Sequence, residues 1–134
     1  MSAKERVLII TDGTESIQLA ARSIENALTD YKTEICLGDV FSGTDLLPAE
    51  KFFIGCEKPH PASFAYLAQM LAHINLAGRK CGIFSTNEKA LKYLGGILKD
   101  SEACLGQPFM FADGKINQPA LKKWIKGIIK QNDL

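Results

Sequence analysis

The stretch Val7-Leu8-Ile9-Ile10-Thr11-Asp12-Gly13-Thr14-Glu15-Ser16-Ile17 decides the fold class. Val7 to Ile10 is a short, continuous apolar run rich in β-branched residues, the pattern of a strand buried on both faces. Thr11 to Ser16 is a polar loop containing glycine. Beyond it Ile17, Ala20, Ala21, Ile24, Ala27 and Leu28 recur at helical spacing. Strand, polar loop and amphipathic helix form the unit from which parallel α/β sheets are built.

The same unit recurs along the chain. Further strands are predicted at Thr33–Leu37, Phe52–Cys56, Cys81–Phe84 and Ala103–Phe111, the last interrupted by Gly106 and Pro108. A helix is predicted over Ser63–Leu76, with Gly78 as its stop, and Leu91, Leu94 and Leu98 mark another. Asn117 and Pro119 open a last helix with Leu121, Trp124, Ile125 and Ile128 on its core face. Lys122, Lys123, Lys126 and Lys130 lie off that face. Phe41–Lys51 gives no clear helix and reads as a loop or a short helix, and Asp113-Gly114 reads as a turn. The expected architecture is one α/β domain over residues 1–134, a doubly wound five-stranded parallel sheet with helices on both faces.

Composition fits that expectation. The 134 residues are 46% hydrophobic and 23% charged, inside the globular range, with a net charge of +1. That balance offers no basic stripe for nucleic acid or anionic membrane. No apolar run is long enough to cross a bilayer, and the first residues show no apolar signal region, so a cytoplasmic location is expected. Cys36, Cys56, Cys81 and Cys104 contain no CxxC pair, which disfavours a zinc ribbon or a dithiol redox motif; reduced core thiols are expected.

In a doubly wound sheet, ligands bind outside the carboxyl ends of the strands. Three loops leave those ends: Thr11–Ser16, Glu57–Ala62 and Ser85–Glu88. The first meets a helix N-terminus, where free N–H groups and the helix dipole attract anions, and Thr11, Thr14 and Ser16 add hydroxyls. A competing reading is structural. Asp12, with Glu15 three residues on, has the spacing of a capping box, and its carboxylate would supply the negative charge itself.

Ile10-Thr11-Asp12-Gly13-Thr14-Glu15 resembles the phosphate loop of the flavodoxin-like family. Ala77-Gly78-Arg79-Lys80-Cys81-Gly82-Ile83-Phe84-Ser85-Thr86 and Leu105-Gly106-Gln107-Pro108-Phe109 resemble its fourth and fifth strand regions. The resemblance covers nearly the whole chain. It implies strand order 2-1-3-4-5, FMN as cofactor, electron transfer or flavin-dependent redox chemistry, and a redox partner protein. Thr11, Asp12, Gly13, Thr14, Glu15 and Ser16 would then surround the phosphate. Pro59 and His60 would lie on one side of the flavin ring, with Ser85, Thr86 and Asn87 on the other. No catalytic residue or metal ligand is implied.

Two departures set a second expectation. The first loop is one residue short, with Asp12 where a hydroxyl is usual, and the other two loops lack the large aromatic side chains that cover a flavin. Tyr93 falls later, inside a helical stripe. These features suit a cofactor-free binding or regulatory module. A cysteine phosphatase is disfavoured because no Arg follows Cys56 closely, and a receiver domain because Cys56 stands where its acceptor Asp belongs. His60, between two prolines, reads as a flavin contact or an exposed loop residue. Tyr66, Met70 and His73 read as packing or a subunit contact. Cys56 needs a nearby positive charge to be reactive; Lys58 offers one and Glu57 opposes it.

Overall fold

The computed structural model describes residues 5–39, 51–112 and 115–129. The expectations for Phe41–Glu50, Asp113-Gly114 and Lys130 lie outside them.

Alternation along the central strands creates two separate cores. In β1 (Arg6–Thr11), Leu8 and Ile10 face one way and Val7 and Ile9 the other, and all four are buried. Strands β2 (Lys32–Leu37), β3 (Lys51–Gly55) and β4 (Lys80–Ser85) extend the sheet in parallel. The edge strand is broken as its Gly and Pro require. Its halves, β5 (Cys104–Leu105) and β6 (Phe109–Met110), both pair with β4. The order is β2-β1-β3-β4-β5, as the resemblance implied.

Helices cover both faces. Helix α1 (Glu15–Ala27) buries Ser16, Ile17, Ala20, Ala21 and Ile24, and its alanines let it lie close to the sheet. On the same face α4 (Gln118–Ile129) buries Leu121, Trp124, Ile125, Ile128 and Ile129. The opposite face holds α2 (Ala65–Leu71) and α3 (Glu88–Leu98).

Helix α2 is shorter than its apolar spacing predicts. A 3-10 turn, Ala62–Phe64, precedes it, and the chain leaves the helix after Leu71. The Leu76 amide donates to the Ser101 carbonyl at 2.6 Å, and Asn75 Oδ1 accepts from the Ala77 amide at 2.9 Å. These bonds carry Leu76 into the core in a non-helical conformation. Gly78, at φ +84°, serves the turn into β4 instead of ending the helix.

Two register pairs lock the β3–β4 centre on the α1/α4 face. Phe53 opposes Gly82 and Phe84 opposes Gly55. A Cβ at Gly55 would lie 2.3 Å from the Phe84 ring, and one at Gly82 would lie 2.8 Å from Phe53 and 2.9 Å from Trp124. Each ring occupies the hollow left by the missing side chain opposite it, and Trp124 packs edge-on to both.

Candidate functional site

The strand order reverses between β1 and β3, so the crevice a ligand would use opens where these two strands end. Loop 1 (residues 11–14) leaves β1 there, loop 2 (57–61) leaves β3, and loop 3 (86–87) leaves β4. Gly13, at φ +83°, turns loop 1 back toward α1.

Asp12 organises this end of the sheet. Its Oδ1 accepts from the Thr14 amide at 3.1 Å and from the Thr14 hydroxyl at 2.6 Å. Its Oδ2 accepts from the Glu57 amide at 2.8 Å. The residue at the N-cap of α1 is Thr14, whose side chain makes no capping bond, so the capping box anticipated between Asp12 and Glu15 does not form. Asp12 acts one step earlier, holding the capping residue and crossing to loop 2.

The other two hydroxyls also donate internally. Thr11 Oγ1 donates to Gln18 Oε1 at 3.2 Å, and Ser16 Oγ donates to Glu57 Oε2 at 3.3 Å. Thr11 Oγ1 in turn accepts from the Gly13 amide at 3.3 Å. Glu15 is exposed.

Loop 3 is fastened to loop 2. Asn87 Oδ1 caps α3 by accepting from the Ala90 amide at 2.8 Å, while its Nδ2 donates to the Glu57 carbonyl. The Asn87 amide donates to Ser85 Oγ at 3.2 Å, and Thr86 is half-buried between them. Glu57 is therefore held through its amide by loop 1, through its carbonyl by loop 3, and through its carboxylate by α1. Sequence reasoning placed Glu57 at the start of a ligand-side loop but gave it no contact with a ligand. It works mainly through its backbone, which leaves no residue-type signature.

His60 sits at φ 56°, a left-handed conformation uncommon outside glycine, with a proline on either side. Its ring packs on Tyr93 of α3 with centroids 4.6 Å apart. Loop 2, Asp12 and Thr14 line a cavity of about 510 Å³, which includes Pro59 and His60 and has Lys58 as a cation. Ser85, Thr86 and Asn87 do not line it. Cys56 is fully buried. Burial and the Asp12 carboxylate push its thiol up to about 12, so it is neither exposed nor ionised at neutral pH. Burial, and then charge on Cys56, raise the Tyr93 phenol as well. Tyr66 and His73 are exposed, whereas Met70 packs against the core. Among the described residues no His, Cys, Asp and Glu cluster could hold a metal ion, and no helix is long and apolar enough to cross a membrane.

As arranged, the hydroxyls of loop 1 and the Thr14 amide do not fit a flavin phosphate. The Thr14 amide and the hydroxyls of Thr11, Thr14 and Ser16 all point to acceptors within the protein, and three carboxylates, Asp12, Glu15 and Glu57, belong to the same end of the sheet.

No protein family and no curated protein matches the sequence. Solved structures do match the fold. A short-chain flavodoxin associated with a non-canonical PDU bacterial microcompartment superposes with a TM-score of 0.83 at 13% identity, over 96% of this chain and 98% of that one. The flavodoxin of Streptococcus pneumoniae TIGR4 gives 0.80 at 14% identity, over 94% and 98%. A Fusobacterium nucleatum flavodoxin bound to flavin mononucleotide gives 0.73 at 14% identity, over 96% and 99%. Likeness over nearly the full length of each partner, together with the 2-1-3-4-5 strand order, identifies the chain as flavodoxin-like in fold.

Proposed function

We propose that the chain is a flavodoxin-like binding or regulatory module that works without a flavin. One observation carries this reading: the Asp12 carboxylate takes the amide and hydroxyl of Thr14 and the amide of Glu57, three donors that an anionic ligand at this crevice could otherwise use. A buried or half-buried carboxylate so placed also repels a phosphate directly.

The second reading is an FMN-dependent electron carrier that docks a redox partner. The N-terminus of α1 at the end of β1, and the cavity beside Thr14 and His60, favour it. It requires Asp12 to release Thr14.

Titration of FMN into the purified protein, followed by quenching of flavin fluorescence, separates the two. The first reading expects no saturable quenching at micromolar protein. Saturable binding at micromolar affinity or tighter, weakened by Thr14→Ala, would overturn it and establish the second.

A further inference from the structure

Away from the three loops, the break in the edge strand opens a second cavity. Gly106-Gln107-Pro108 carries the chain off β4 between β5 and β6, and α4 packs beside the gap. The cleft is open to solvent on one side and has a volume of about 760 Å³, within the range of roughly 300–1,000 Å³ usual for small-molecule sites. None of its lining residues belongs to the crevice at the carboxyl ends of β1 and β3.

Its chemistry is specific. Leu105, Phe109, Trp124 and Ile128 give it an apolar lining. Phe109 stacks on Trp124 with centroids 5.0 Å apart and ring planes 24° from parallel. The indole Nε1 already donates to the Gln107 carbonyl, so the Trp124 ring is fixed in place and its polar group is satisfied. Walls formed by Gly106, Ala120 and Gly127 are low, and a Cβ at Gly127 would meet nothing within 4 Å. Among the described residues, Lys123 is the single charged residue in the lining and no carboxylate belongs to it.

We propose that this cleft between α4 and the broken edge strand binds a small planar aromatic acid. The aromatic body lies along the Phe109 side of the slot, and Lys123 pairs with the acid group. The apolar and aromatic lining favours an aromatic body. Lys123, the one charge among the described lining residues, selects a negatively charged group.

The test uses two dyes on the folded full-length chain. Anilinonaphthalene sulfonate carries an aromatic body and one acid, and N-phenylnaphthylamine carries the body alone. Dye emission and quenching of Trp124, the chain's one tryptophan, report binding together. The sulfonate is expected to saturate a single site per chain, and Gly127→Leu, which fills the slot from α4, to abolish binding of both dyes. Lys123→Gln is expected to weaken the sulfonate about threefold, as for an exposed ion pair, and to leave the neutral dye unchanged. Ala120→Phe fills the slot from another wall and replaces Gly127→Leu if circular dichroism shows that variant misfolded. Absence of saturable binding, or binding that survives the filling variant, overturns the site. Equal loss of both dyes in Lys123→Gln overturns the assignment of an acid.

Discussion

Asp12 Oδ2 accepts the Glu57 amide proton at 2.8 Å, joining the ends of β1 and β3 across the point where the strand order reverses. In this architecture that point is the ligand crevice. The bond therefore spans the space a bound group would enter, and the other Asp12 oxygen holds both donors of Thr14. Hydrogen bonds to an ionised carboxylate are stronger than neutral ones, so the closure has an energetic as well as a geometric basis.

Replacing Asp12 tests both sides of that closure. Asp12→Ala leaves the Thr14 amide, the Thr14 hydroxyl and the Glu57 amide without their acceptor. The site is half-exposed and water can reach part of it, so a loss of about 2 kcal/mol is expected in urea denaturation. The same change removes a negative charge beside the N-terminus of α1. Millimolar inorganic phosphate should then raise the denaturation midpoint of Asp12→Ala and leave that of the parent protein unmoved. Equal stabilisation of both proteins would mean that Asp12 does not exclude anions.

Asn87 joins two roles that substitution can separate. Asn87→Ala loses the cap on the Ala90 amide and should cost about 1 kcal/mol. Asn87→Asp keeps an acceptor for Ala90 but has no donor for the Glu57 carbonyl. Its second carboxylate oxygen would face that carbonyl acceptor to acceptor, so the variant should keep the cap but lose stability at the loop 2 link, and the loop 2 amides should exchange faster with deuterium. Unchanged exchange at Glu57–Ala62 would show that the Asn87 link does not hold loop 2.

The strands were legible because both faces of the sheet are covered: Val7–Ile10 and Phe52–Ile54 must be continuously apolar, a pattern few other structures impose. The broken edge was legible through Gly106 and Pro108, each of which disfavours a regular ladder. The end of α2 was not. Leu76 continues a helical apolar spacing, but its amide is claimed by Ser101, a contact distant in sequence that local pattern does not encode. At the crevice, residue types indicated a cluster of donors at loop 1 but not their partners. That Thr11, Thr14 and Ser16 all turn inward depends on where Gln18, Asp12 and Glu57 lie in three dimensions.

Glycines of opposite character should respond with opposite sign. Gly55→Ala would force a Cβ to within 2.3 Å of the Phe84 ring, in a centre where Phe53, Phe84 and Trp124 pack together. Overpacking there should cost about 2 kcal/mol. Gly95 lies in α3, where an added Cβ meets nothing within 4 Å. Gly95→Ala should stabilise by up to about 1 kcal/mol through helix propensity. Urea midpoints that move in the same direction for the two variants would contradict the packing assigned to the β3–β4 pair.

Cys56 makes stability depend on alkaline pH. Its folded-state thiol is pushed up to about 12 from an ordinary 9.0, chiefly by burial and secondly by Asp12. Between those values the unfolded chain has released this proton and the folded chain still holds it. Unfolding then releases a proton, so stability falls as pH rises through the window and is unaffected by this group below it. One such proton changes stability by up to about 1.4 kcal/mol per pH unit. Cys81, fully buried and also shifted upward, adds a slope of the same sign. Cys56→Ala should therefore flatten, without abolishing, the decline in urea-derived stability measured from pH 9 upward. At neutral pH the same variant should lose only its packing contribution. A parent and variant that decline in parallel would show that the Cys56 thiol ionises as readily in the folded chain as in the unfolded one.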